Sequence, residues 1–342
     1  MLSQEQVGLI FRLKKDLSAP RKIVITTHQG PDGDAMGSSL ALYMFLKKRG
    51  HDVTVVVPND YPEYLHWLPS NCDVVNFMKQ RQLGESLIEE AKYIFQLDYN
   101  VLGRSADMTR FLYKSKATRI LIDHHPDPEM KCRYVFTNIH ASSTCELLYC
   151  MLKRWDYSLI DADITTCLYT GIMTDTGNFS YRSANVQTFL VAAELMKSGI
   201  NRENIYDNVY NNYSENRVRL QGFCLNEKME VFPQYRTALI SLNLEEQHRF
   251  GFVIGDTEGF VNIPLSIKGI RFSAFFLEKE DKTKMSFRST GNFSVNDFSK
   301  KHYDGGGHLN AAGGDSKIPM NVLIQQFREL LPNYEKELND EE

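Results

Sequence analysis

A chain of 342 residues with 42% hydrophobic and 24% charged side chains is long enough for two domains, each with its own core. Its formal net charge of −4 excludes a general basic coat for nucleic acid, though not a local basic cleft. Met1–Pro20 carries no apolar signal-peptide core and no run of about 18 apolar residues occurs, so a cytoplasmic protein without a membrane span is expected.

Gln4–Leu17 has the spacing of an amphipathic helix. Lys22–Thr27 is a short β-branched run of the kind that forms a fully buried parallel strand. It leads into His28-Gln29-Gly30-Pro31-Asp32-Gly33-Asp34, after which Ala35–Lys48 reads as a helix closed by Gly50. That heptapeptide puts one imidazole and two carboxylates at the carboxyl end of a strand, where open α/β sheets bind ligands. Taken alone it is equally an ordinary turn, since Asp, Gly and Pro are turn residues and Asp caps helices.

Further strands are expected at Asp52–Val57, Asp73–Phe77, Tyr93–Leu97 and Arg119–Ile122, with an aromatic and proline-rich loop at Tyr61–Cys72. Two of them end in chemistry: Asp98 after one, Asp123-His124-His125 after the other. Strands alternating with helical patterns predict βαβ units and a mainly parallel sheet. From Ser142 the character turns helical. Ser143-Thr144-Cys145-Glu146 opens a helix through Trp155, capped by Ser142 or Ser143. Helices at Ala162–Met173, Val186–Ser198 and Arg202–Tyr210 follow, the first ending in Thr174-Asp175-Thr176-Gly177.

The expected domains are 1–212, carrying the catalytic groups, and a smaller α/β domain at 233–342 across a cleft, joined by a polar link at 213–232. The second domain has strand patterns at Tyr235–Leu242, Ile270–Glu278 and Lys284–Arg288, a connecting loop at Gly251–Gly259 and a last helix at Met320–Leu331. Between them lies Gly305-Gly306-Gly307-His308 with Ala311-Ala312-Gly313-Gly314. Lys268–Asn310 holds eight Lys/Arg against five Asp/Glu, and Lys279, Lys282 and Lys284 read as a solvated face. The six cysteines, Cys72, Cys132, Cys145, Cys150, Cys167 and Cys224, form no Cys-x-x-Cys pair and read as buried free thiols.

His28/Asp32/Asp34, Asp98, Asp123/His124/His125 and Asp175 each stand at a chain reversal. Carboxylates and imidazoles without thiolates suit a divalent transition metal, Mn²⁺ above all. The set exceeds what one ion needs, and two ions sharing a carboxylate are the arrangement of metal-assisted phosphoester hydrolysis.

These motifs resemble the DHH phosphoesterase family. Asp123-His124-His125 is its name-giving triplet, and Gly305–His308 with Ala311–Gly313 and Ser286–Ser289 is similar to its associated C-terminal domain. In length and layout the chain looks most like the nanoRNase branch that also dephosphorylates pAp. The resemblance implies one metal on His28, Asp32 and Asp98 and another on Asp34, Asp98, His124 and Asp175. It gives Asp98 the bridging role, with Asp123 orienting an imidazole and His125 facing phosphate. Arg288, His308 and the glycines 305–307 would bind substrate phosphates, and Arg271 is a weaker candidate. Implied substrates are short single-stranded RNA, linear dinucleotides such as pApA or pGpG, and pAp. A homodimer is compatible with the chain.

The nearest rival is a RecJ-like DNA exonuclease, whose chains are longer. Membrane cyclic-dinucleotide phosphodiesterases carry spans absent here, and the pyrophosphatases of the superfamily lack the triple-glycine-His motif. A non-catalytic binding module is disfavoured because every ligand position is filled.

Overall fold

The computed structural model describes residues 2–129 and 131–340, except the side chain of Cys72, so the expected burial of that thiol lies outside the described residues. It divides into two compact units, Met1–Asn212 and Tyr213–Glu342.

The first unit opens with α1 (Gln4–Asp16), whose start is closed by reciprocal bonds between Ser3 and Gln6. There follow β1 (Lys22–Thr26), α2 (Gly33–Lys48), β2 (Asp52–Val57), β3 (Val74–Asn76), α3 (Arg81–Glu90), β4 (Tyr93–Leu97), α4 (Thr109–Lys114), β5 (Thr118–Asp123) and β6 (Tyr134–Thr137). All six strands run parallel in the order β3-β2-β1-β4-β5-β6. Alternate residues of β1 go to opposite cores. Ile23 and Ile25 pack with α1 and α2, whereas Val24 joins Val56, Ile94 and the apolar residues of α3 and α4. Burial on both faces is why Ile23-Val24-Ile25 runs apolar without a break. The edge strand β6 was not anticipated: four residues following Arg133 carry too little period to register.

α5 (Thr144–Asp156), α6 (Ala162–Asp175), α7 (Val186–Met196) and α8 (Arg202–Tyr210) complete this unit. α2 and α6 cross at glycines. A Cβ on Gly37 would stand 2.5 Å from the Cys167 carbonyl oxygen; on Gly171 it would stand 2.3 Å from Cys145 Sγ and 3.0 Å from Asp34 Oδ1. Gly171→Ala is therefore expected to cost about 1–3 kcal/mol through overpacking. Urea unfolding checks it, and an unchanged midpoint would mean that the crossing relaxes freely.

The second unit contains α9 (Glu215–Phe223), β7 (Met229–Phe232), β8 (Thr237–Leu242), α10 (Leu244–Arg249), β9 (Phe272–Glu278), β10 (Thr283–Ser289), α11 (Val295–Tyr303), β11 (Gly306–His308), β12 (Ala311–Ser316) and α12 (Met320–Leu330). Its sheet has the order β11-β12-β10-β9-β8-β7, antiparallel except between β8 and β9. Phe272 and Phe276 face one core with Phe287 and Phe327, and Phe275 faces another with Leu220 and Phe260.

The expected polar link at 213–232 is a correction. It is helix and strand belonging to the second unit. Its polarity misled because Arg217 is buried, donating to the carbonyls of Gly255 and Glu258 and lying over Tyr213. Lys279 likewise departs from a solvated face: it sits 4.8 Å over the Phe252 ring, and burial lowers its pKa. The five cysteines with described side chains are free.

Candidate metal centre

β1 and β4 are neighbours at the point where the strand order reverses, with α2 packed on one face and α3 and α4 on the other. The crevice at such a switch point is where ligands bind, and the loops after β1, β4 and β5 meet there.

The loop after β1 serves twice. Asp32 Oδ1 accepts from the amides of Asp34 and Ala35 and so caps α2, while its Oδ2 lies 3.8 Å from His28 Nε2. The turn reading and the ligand reading thus use different oxygens of one carboxylate. β4 ends at Asp98, which has a left-handed backbone (φ 64°) tolerated by Asp better than by most residues. Tyr99 is buried, its hydroxyl 2.6 Å from Thr26 Oγ1, and the Asn100 carbonyl accepts from Glu129 N. These two residues pin the β4 turn to the ends of β1 and β5.

Asp98 stands at the centre. Its Oδ2 lies 3.3 Å from His28 Nε2, and its Oδ1 lies 3.5 Å from His124 Nε2 and 3.7 Å from His125 Nδ1. His124 Nε2 is also 3.5 Å from Asp175 Oδ2 and 3.9 Å from Asp34 Oδ2. Within the first unit, three sets of ligand atoms lie within 4.8 Å of one another: His28 with Asp32 and Asp98, Asp34 with Asp98 and His124, and Asp98 with Asp123 and His125. Asp98 belongs to all three.

The electrostatics follow from burial. Asp34 is pushed up to about 8 by burial and then by the charge of Asp98. Burial also lifts Asp123 to about 8, again with Asp98 adding to it. Burial opposes ionisation of Asp98 too, but His28, His125 and His124 outweigh it and hold this carboxyl well below its usual range. For His28, burial works against the charged form, yet Asp98 and Asp32 raise its pKa overall.

The donor set fits divalent cations. Nδ1 of His28 lies 3.0 Å from the Gln29 carbonyl oxygen and Nδ1 of His124 3.3 Å from that of Ala141. A carbonyl only accepts, so each Nδ1 carries a proton, and each Nε2, facing the carboxylates, is the atom that would bind an ion once it gives up its own proton. Asp123 is fully buried, with Oδ1 2.7 Å from His125 Nδ1 and, among the described residues, no hydrogen-bond partner for Oδ2.

The second unit holds the other expected residues. Arg288, Ala311 and His308 stand in one row across β10, β12 and β11, and residues opposed in this way share a face. Arg271 is not in that row, and its guanidinium donates to the Asp340 carbonyl. Two of the three glycines have a packing reason of their own. A Cβ on Gly305 would stand 2.0 Å from the Gly313 carbonyl oxygen, and one on Gly307 2.3 Å from that of Ala311. At Gly306 a Cβ would meet nothing closer than ordinary contact, Asn296 Oδ1 at 3.8 Å and Lys300 Cε at 3.9 Å. Three residues near the centre escaped the sequence reading as more than caps: Ser142, Thr144 and Glu146. The available signal was a row of hydroxyls where one cap would do.

Residues 22–172 match the model of the DHH family, N-terminal domain, and residues 250–338 that of the DHHA1 domain. The bifunctional oligoribonuclease and PAP phosphatase NrnA of Thermus thermophilus is 30% identical over 92% of this chain and 89% of its own. Its namesake in Bacillus subtilis is 26% identical over 88% and 91%. Among solved structures, an exopolyphosphatase-related protein from Bacteroides fragilis is 41% identical over 99% of both chains, with a TM-score of 0.92. RecJ of Thermus thermophilus in complex with Mn²⁺ shares the fold, with a TM-score of 0.59 at 13% identity, 98% of this chain matching 55% of that one.

Proposed function

The chain belongs to the DHH family, and on that footing we propose that it is a two-metal phosphoesterase that degrades short oligoribonucleotides to 5′-mononucleotides and dephosphorylates pAp to AMP. One observation carries the reading: a single carboxylate, Asp98, lies between two sets of metal-type ligands. The relatives named as oligoribonuclease and PAP phosphatase match this chain along most of its length, and they supply the substrate class.

His28, Asp32 and Asp98 would hold one ion, and Asp34, Asp98, His124 and Asp175 the other. Two divalent ions bound there supply Lewis acidity and a water acidified for attack on phosphorus. The protein's own part is orientation. Asp123 fixes His125 through Nδ1, so that Nε2 meets a substrate phosphate. Arg288 and His308, in their shared row, bind the far phosphate of the substrate, with Gly306 leaving room for its approach. Met1–Asn212 then carries the chemistry and Tyr213–Glu342 the selection of substrate.

Mixed carboxylate and imidazole ligation favours Mn²⁺ over Mg²⁺, which prefers oxygen and water throughout. Stripping the metal and restoring one ion at a time, with pAp, dinucleotides and a long RNA as parallel substrates, tests both parts. The expected result is turnover of pAp and dinucleotides with Mn²⁺, and little on long RNA. Mg²⁺ restoring activity at least as well as Mn²⁺ would refute the metal assignment, and preference for long RNA would refute the substrate class.

A further inference from the structure

Ala141–Glu146 contributes no ligand to either ion, yet it touches three of the residues that would hold them. The Ala141 carbonyl oxygen faces His124 Nδ1 at 3.3 Å. The amides of Thr144 and Cys145 donate to Asp34 Oδ2 and Oδ1, at 2.6 and 2.8 Å. The Thr144 hydroxyl donates to Asp98 Oδ1 at 2.9 Å. A helix start needs none of this, because Ser143 already caps α5 by accepting from Glu146 N.

The remaining polar groups of the segment hold it still. Ser142, Thr144 and Glu146 are all buried. A buried carboxylate is costly unless its oxygens are satisfied. Glu146 Oε2 collects Ser142 N at 3.1 Å, Ser142 Oγ at 2.6 Å and Thr188 Oγ1 at 2.9 Å. Thr188 in turn belongs to the reciprocal cap of α7 with Asn185. The turn before α5 is thereby tied to a second helix start and cannot shift alone.

We propose that Thr144 is a positioning residue that divides the two oxygens of Asp98 between the ions, and that Glu146 locks the turn carrying it; this rests on the two-metal reading above. Oδ1 of Asp98 is held by Thr144 on the side of His124, which leaves Oδ2 facing His28. Without that hydroxyl the carboxylate is free to rotate about its Cβ–Cγ bond, and both oxygens can turn to one ion. The same residue holds Asp34 through its backbone, which no side-chain substitution removes. Side chain and backbone can therefore be tested apart.

The experiment titrates the metal-stripped full chain with Mn²⁺ alone by calorimetry, with thermal unfolding as the check on folding. The wild-type chain is expected to bind two ions. Thr144→Val keeps the shape and loses the hydroxyl, and is expected to bind at least one ion about 10–100-fold more weakly, the usual loss when an outer partner of a metal ligand is removed. Thr144→Ser, which keeps the hydroxyl, is expected to restore affinity to within about threefold, well short of that loss. A folded Thr144→Val chain binding two ions with wild-type affinity would overturn the proposal, as would a Ser variant as weak as the Val one. If the Val variant does not fold, Thr144→Ala takes its place with the same expected loss, and wild-type affinity there is equally fatal. A wild-type chain that binds fewer than two ions would instead sink the two-metal reading itself, which keeps the two failures distinct.

Discussion

Asp98→Asn is expected to abolish hydrolysis of every substrate while the protein stays folded. Under the two-metal reading both ions lose a charged ligand at once, so the loss should exceed the roughly 10–100-fold typical when only an outer partner of a metal ligand is removed. Asn is the better substitution than Ala here. It keeps the side chain's shape and tolerates the left-handed backbone that position 98 adopts, whereas Ala adds strain of its own. No apolar core is removed, since Asp98 ends a strand and packs among polar groups. Turnover, metal content and unfolding midpoint measured on one preparation decide the matter. Near-normal turnover with two ions still bound would remove Asp98 from the bridging role.

Arg288→Ala is expected to lower kcat/KM on dinucleotides and on pAp by about ten- to a hundred-fold, the equivalent of losing a charge-assisted contact of about 1.5–3 kcal/mol. Arg288 projects from the face of β10 opposite Met285 and Phe287, which are buried, so its loss leaves that core intact. A minimal ester such as p-nitrophenyl phosphate has no second phosphate to grip and should be much less affected. His308→Ala, two strands away in the same row, should follow the same pattern. Equal losses on the minimal ester and on dinucleotides would place Arg288 in support of the reacting centre, and the selection role would fail.

Much of the first unit was legible because a parallel sheet buried on both faces forces long apolar runs into the chain. Lys22–Thr26, Asp52–Val57 and Tyr93–Leu97 declare themselves in that way, and Ile23, Val24 and Ile25 of β1 each find a core on one side or the other. The second unit was less legible. Gly306–His308 and Ala311–Ser316 form a hairpin whose glycines have no strand propensity; at Gly307, Gly313 and Gly314 neighbouring backbone comes close to where a Cβ would stand. α9 was obscured by a buried arginine, which composition counts as a mark of surface.

The candidate ligands, His28, Asp32, Asp34, Asp98, His124 and Asp175, were weak signals one by one, each equally a turn or cap residue, and were legible as a set because all stand at chain reversals of one α/β domain. By itself the sequence determined this list and the α/β class that carries it, because residue type and hydrophobic period are local properties. The shared role of Asp98 came to the sequence only through the family resemblance; the tertiary structure decided that its carboxylate stands among His28, His124 and His125 and that the Thr144 hydroxyl donates to it. Separations of 46 residues between Asp98 and Thr144 and 110 between Asp34 and Thr144 carry no local signal. They close to hydrogen-bond length only after β1, β4 and β5 align in one sheet and α5 packs with its amino end toward the strand termini.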